Sequence, residues 1–164
     1  VTVEKKFPDQ ILVKVTERAP VCCSLVNVDG KTLPIQIDKN GVIFAVDRGM
    51  PSSSVPLLTG FSFDTIAEGV RLNSKLRPLM EQIAEIQSTN PEYFSVLSEI
   101  RVISKDYGSY ELELYPVHSR IKVLTDRTLN LEALQYMMVV LDVINSMQSD
   151  VSAVDLRYGS ISYR

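Results

Sequence analysis

The apolar pattern of this chain turns helical twice, and that limits the folds open to it. Over most of its length apolar and polar residues alternate, the period of a strand whose side chains point to opposite faces. In two places the spacing becomes helical. Leu72, Leu76, Leu79, Ile83 and Ile86 are spaced 4, 3, 4 and 3 apart, one stripe of an amphipathic helix over 70–87. Ser74 is its expected N-cap, and Pro78 falls near the first turn, where a missing N–H costs least. Asn90-Pro91 ends it. Asn130 caps a second helix. There Leu131, Leu134, Met138, Leu141 and Asn145 make one stripe, with Met137, Val140, Ile144 and Met147 beside it. Two broad stripes predict a helix well buried against a sheet.

The strands are read from what lies between. Residues 9–17, DQILVKVTE, alternate until Pro20 restricts Ala19 and removes a donor. VCCSLVNVDG is a second run, closed by the turn dipeptide Asp29-Gly30. LPIQIDKNG and VIFAV read as a hairpin whose Asn40-Gly41 favours a tight two-residue turn. Residues 48–56 are a loop, and PLLTG (56–60) a buried apolar pair before a turn. LSEIRVISKD and SYELELYPVHSRIKVLTD give three more strands. With Val117-His118 at the tip, Glu113 lies opposite Lys122. The final SAVDLRYGSISYR sets Val154, Leu156 and Tyr158 on one face and Asp155 and Arg157 on the other. Gly159 marks a bulge, and Ile161 and Tyr163 continue the run as a strand with no later one to pair it. The order strands, helix, strands, helix, strand predicts an α+β fold, an antiparallel-rich sheet backed by two main helices.

Chemistry is harder to find. A net charge of −3, with no long basic run, is a poor basis for nucleic-acid binding. No stretch of about 18 apolar residues is present to span a bilayer. The chain opens on Val1 in strand-like sequence, so it reads as a segment of a longer protein. Cys22 and Cys23 are neighbours whose side chains point apart on a strand, and only one His accompanies them. They read as two small apolar strand residues. His118 stands beside Pro116 at a loop tip, without a Cys/His/Asp cluster. Glu111 and Glu113 alternate with an apolar face and have Lys122 and Arg120 opposite, which suits a solvated, ion-paired surface better than a glycosidase pair. Ser52, Ser53 and Ser54 lack a nucleophile elbow, and no phosphate-binding glycine loop occurs. No catalytic residue, cofactor site or metal site is expected, and the chain reads as a non-enzyme.

Three segments, in order, resemble a known family. FPDQILVKVTERAPVC (7–22) is similar to a Pro-led strand leaving through Glu-Arg-x-Pro-Val. IDKNGVIF with VPLLTG (37–44, 55–60) is similar to a hairpin Asp-x-x-Gly-x-x-Phe followed by Leu-Pro-x-Leu-x-Gly. VDLRY (154–158) resembles a signature strand near the C-terminus. Together they resemble the extracytoplasmic part of the bacterial cell-division family FtsQ/DivIB over about residues 7 to 158. The resemblance implies that residues 1–20 are the C-terminal strand of a truncated POTRA domain and 21–164 the β domain. It implies a parent held in the cytoplasmic (inner) membrane by one helix absent from this chain, with this segment extracytoplasmic or periplasmic. It further implies a divisome scaffold without cofactor or catalysis, which binds FtsB/DivIC- and FtsL-type proteins partly by β-strand addition. The docking strand then comprises Arg157, Tyr158, Gly159, Ser160 and Ile161. The chain departs from the family at Cys22-Cys23, where a small apolar residue is usual, and in the short YGSISYR tail. Two other readings stay open: a POTRA-bearing outer-membrane assembly or secretion chaperone, and an enzyme or glycan-binding module with a deep polar pocket.

Overall fold

Strand pairing begins with a hairpin that stands by itself. β1 (Thr2–Lys6) and β2 (Gln10–Lys14) pair antiparallel as a separate two-stranded sheet. The computed structural model describes residues 1–50, 55–147, 150–157 and 161–163. Every residue of both hairpin strands is exposed, including Val3, Ile11 and Val13. An isolated hairpin that buries neither face is marginal in water. The expected single strand over 1–20 is thus two strands.

From Val21 the chain enters one nine-stranded sheet, of order β11-β10-β9-β8-β7-β6-β3-β4-β5. Its strands are β3 (Cys22–Val28), β4 (Lys31–Ile37), β5 (Ile43–Val46), β6 (Leu57–Thr59), β7 (Leu97–Ser104), β8 (Tyr110–Pro116), β9 (Lys122–Thr125), β10 (Ala153–Asp155) and β11 (Ser162–Tyr163). Five neighbouring pairs are antiparallel, and β3–β6, β6–β7 and β9–β10 are parallel. The fold is α+β with a mostly antiparallel sheet and two main helices.

Local chemistry sets most of these elements. Asp29 and Gly30, both at positive φ, make the two-residue turn between β3 and β4. The next turn differs from expectation. Asn40-Gly41 is not a two-residue loop, because residues 38–42 all lie outside the ladder. The Asp38 carboxylate organises this loop instead, accepting the backbone N–H groups of Asn40 and Val42. Leu57-Leu58-Thr59, expected as a buried pair before a turn, is a central strand, with Leu58 fully buried.

α1 (Arg77–Thr89) is preceded by a 3-10 turn over Ser74–Leu76, and Asn73 rather than Ser74 caps that turn, accepting from the Lys75 N–H. Pro78 lies in the first turn of α1, and all five residues of the predicted stripe are buried. Asn90 ends the helix, and Pro91 opens a short α2 (Pro91–Phe94). α3 (Leu131–Ser146) is capped by the Asn130 side chain as expected, which accepts from the Ala133 N–H at 2.8 Å. Leu134, Met137, Val140, Leu141 and Ile144 join α1 and the sheet in one core, and Leu129 N–H donates to Gln82 of α1. Burial is less complete than the two stripes implied, because Met138, Val139, Val143 and Met147 are exposed.

Candidate partner-binding edge

The two edges of the large sheet are finished differently. At β5 the outer side is covered at the start of the strand. Ile43 N–H donates to Val70 O at 2.8 Å, Gly69 N–H donates to Ile43 O at 2.7 Å, and Val42 bridges Arg71. At the opposite edge β11 pairs inward with β10, and no described strand lies on its outer side. Ile161, Ser162 and Tyr163 are exposed there.

The tail is therefore not one continuous open strand. Only Ala153–Asp155 is β10, and it runs parallel to β9, with Leu156 N–H donating to Leu124 O at 2.9 Å. Val154 is fully buried. The chain then reverses, and Tyr163 and Ser162 pair with Val154 and Asp155. The strand expected to lack a neighbour has one on each side, and the edge passes to the returning segment. Of the five expected docking residues, Tyr158, Gly159 and Ser160 lie outside the described residues, and Ile161 immediately precedes β11.

Arg157 is committed within the fold. Its Nε donates to Asp155 Oδ1 at 2.8 Å and a terminal nitrogen to Glu111 Oε2 at 2.6 Å, while the other terminal nitrogen pairs with Asp155 Oδ2. These carboxylates, Asp155 foremost, hold the guanidinium pKa above its ordinary value. Lys105 binds the same Glu111 oxygen at 2.9 Å. The arrangement anchors the start of the β10–β11 reversal to β8, two strands away.

Glu113 belongs to the same sheet face. Lys122 Nζ lies 2.6 Å from its Oε1, and the Tyr115 hydroxyl donates to Oε2 at 2.6 Å. Arg101 stands 3.7 Å away and over the Tyr115 ring. The Glu113–Lys122 pair forms across a register different from the expected one. Glu113 is opposite Leu124, so the hairpin tip falls two positions later in sum, at His118-Ser119, and Lys122 reaches Glu113 diagonally. Arg120, expected opposite the two glutamates, is replaced there by Lys105, Arg157 and Arg101. Long-range partners such as Arg157 and Glu111 leave no local pattern. Asp155 and Arg157 at i and i+2 were the readable half.

Both glutamates titrate below their ordinary value. For Glu111 the Lys105 hydrogen bond is the largest cause. For Glu113 burial pushes upward, and bonds from Lys122 and Tyr115 outweigh it. A carboxylate depressed in the folded state contributes stability above the unfolded pKa, and loses it as pH falls through the folded one. Urea midpoints should therefore fall on acidification from neutrality to below the usual glutamate range. A Glu111→Gln, Glu113→Gln double variant should flatten that slope. An unchanged slope would mean that the ion pairs of Glu111 and Glu113 do not set acid stability.

His118 is exposed at the hairpin tip. Cys22 and Cys23 are both free and buried, and burial pushes the Cys23 thiol up to about 11. Among the described residues no group of three or more His, Cys, Asp or Glu could hold a metal ion. Nor is any described helix long and apolar enough to cross a membrane.

Taken together, these features define an α+β domain with one partly covered sheet edge and one edge built from a returning tail. The chain matches no protein-family model and no curated protein sequence.

Proposed function

We propose that this chain is a non-enzymatic assembly module of the bacterial division machinery. It acts outside the cytoplasmic membrane, in a parent anchored by a single helix, as the resemblance to FtsQ/DivIB implies. Its partners are FtsB/DivIC- and FtsL-type proteins, and one of them adds a strand at the outer side of β11. The observation that carries this reading is the asymmetry of the sheet edges, covered at the start of β5 and without a described neighbour at β11. Exposed edges invite pairing with another chain, and proteins usually cover them. Strand addition takes affinity from main-chain hydrogen bonds and specificity from alternate side chains, here those of Ile161 and Tyr163. The ion pairs of Arg157 support the edge from inside rather than serving as its contact.

The test uses an FtsB/DivIC-type ectodomain and proline substitutions at Ser162 and Tyr163. In an antiparallel edge, neighbouring residues direct their N–H groups to opposite sides. One of the two prolines therefore removes an outward donor. That variant should bind at least about tenfold more weakly, the loss of one or two hydrogen bonds, with the thermal midpoint nearly kept. Wild-type affinity in both variants would exclude strand addition at β11.

A further inference from the structure

We propose that the groove between α3 and the β8–β9 turn docks an amphipathic helix of a protein partner, one bearing a basic residue beside its apolar stripe. The groove has a volume of about 470 Å³ and an apolar lining. Buried Met137 and Leu141 lie beneath it, while Met138 and Val139 are exposed at its rim. Val96 and Pro116 form the opposite wall. The groove shares no lining residue with the β10–β11 hairpin, so the proposal stands independently of strand addition. Thioether side chains adapt to varied apolar surfaces, and contiguous exposed apolar area commonly marks an interaction site.

The form of the occupant follows from the backbone of the walls. α3 satisfies its own amides, and across the groove Val117 N–H already donates to Val96 O at 2.8 Å. Neither wall is an open strand edge. A segment buried here must satisfy its own backbone groups, which a helix does and an extended peptide does not.

The charge of the occupant follows from the rim. Asp142 is the one carboxylate in the groove lining, which holds no Lys or Arg. Asp142 lines the groove and has no ion pair among the described residues. His118 is the facing titratable group, and Arg120 of the same turn does not line the groove. A carboxylate at the groove without a cationic neighbour in its lining disfavours an anionic lipid surface and favours a cationic side chain.

The probe is a helix-forming peptide of about 15 residues, with leucines at i, i+3, i+4 and i+7 and one lysine beside them. It is titrated into the ¹⁵N-labelled full chain. Saturable shifts should centre on Val96, Met138, Val139 and Asp142. The lysine peptide should bind roughly two- to fivefold tighter than its glutamate counterpart, and Asp142→Lys should reverse that order. Val139→Asp, at an exposed position, should weaken binding about tenfold while the fold persists. Four results would each overturn the proposal: no saturation, shifts centred on β11 or on Tyr136 and Val143, a preference insensitive to Asp142→Lys, or the same shifts from anionic vesicles alone.

Discussion

Replacing Gly60 by alanine should lower the thermal midpoint by about 10 °C or more, or leave the chain insoluble. Gly60 follows β6 directly and holds φ at +81°, and a Cβ there would stand 2.0 Å from the Val102 carbonyl oxygen. The β6–β7 register pairs Leu57, Leu58 and Thr59 with Glu99, Ile100 and Arg101, so Gly60 meets the next residue of β7. Two costs add. The left-handed conformation costs a residue with a Cβ roughly 1–2 kcal/mol. The clash is with backbone of a central strand, so relief requires β6 and β7 to part around fully buried Leu58 and Ile100. Together these should exceed about 3 kcal/mol. Gly30→Ala is the control: its φ is +78°, yet nothing lies within 4 Å of the added carbon. It should show only the conformational cost. Equal losses in the two variants would mean that the approach to Val102 does not matter.

β6 also shows where sequence reading stops. A three-residue strand carries too little period to be told from a loop, and its two parallel pairings join residues far apart in sequence. β10 failed in the opposite way. Its alternation continues past Asp155, so the sequence read as one long strand, whereas tertiary pairing ends it there and folds the tail back. The helices were legible because each lies along an apolar stripe of about four turns, α3 behind its Asn130 cap and α1 behind the 3-10 turn that Asn73 caps. Their boundaries moved only where a 3-10 turn took the first part of a stripe. At the candidate edge, Arg157 and Asp155 were visible as neighbours on one strand face. Glu111, which completes their network, sits 46 residues away and has no local signature.

Asp38→Ala should cost about 2–4 kcal/mol, while Asp38→Asn should cost no more than about 1. Asp38 is buried. Its Oδ1 accepts from the N–H groups of Asn40 and Val42, each at 2.9 Å, and its Oδ2 pairs with the Arg18 guanidinium. Alanine leaves the buried Val42 N–H without an acceptor. Asparagine keeps an oxygen for both amides but sets an N–H donor where Oδ2 accepted from Arg18, whose half-exposed guanidinium can turn to water. The loop that Asp38 holds also places Gly41 O to accept from Leu72 N–H, next to the pairing of Ile43 with Gly69 and Val70. Loosening it should uncover the β5 edge. The alanine variant should therefore self-associate more than wild type in sedimentation velocity, as exposed strand edges do, and the asparagine variant should not. If asparagine proves as damaging as alanine, the ion pair with Arg18, not the turn, carries the stability. If alanine unfolds less cooperatively but stays monomeric, the cover over β5 is held by residues 69–71 without help from the turn.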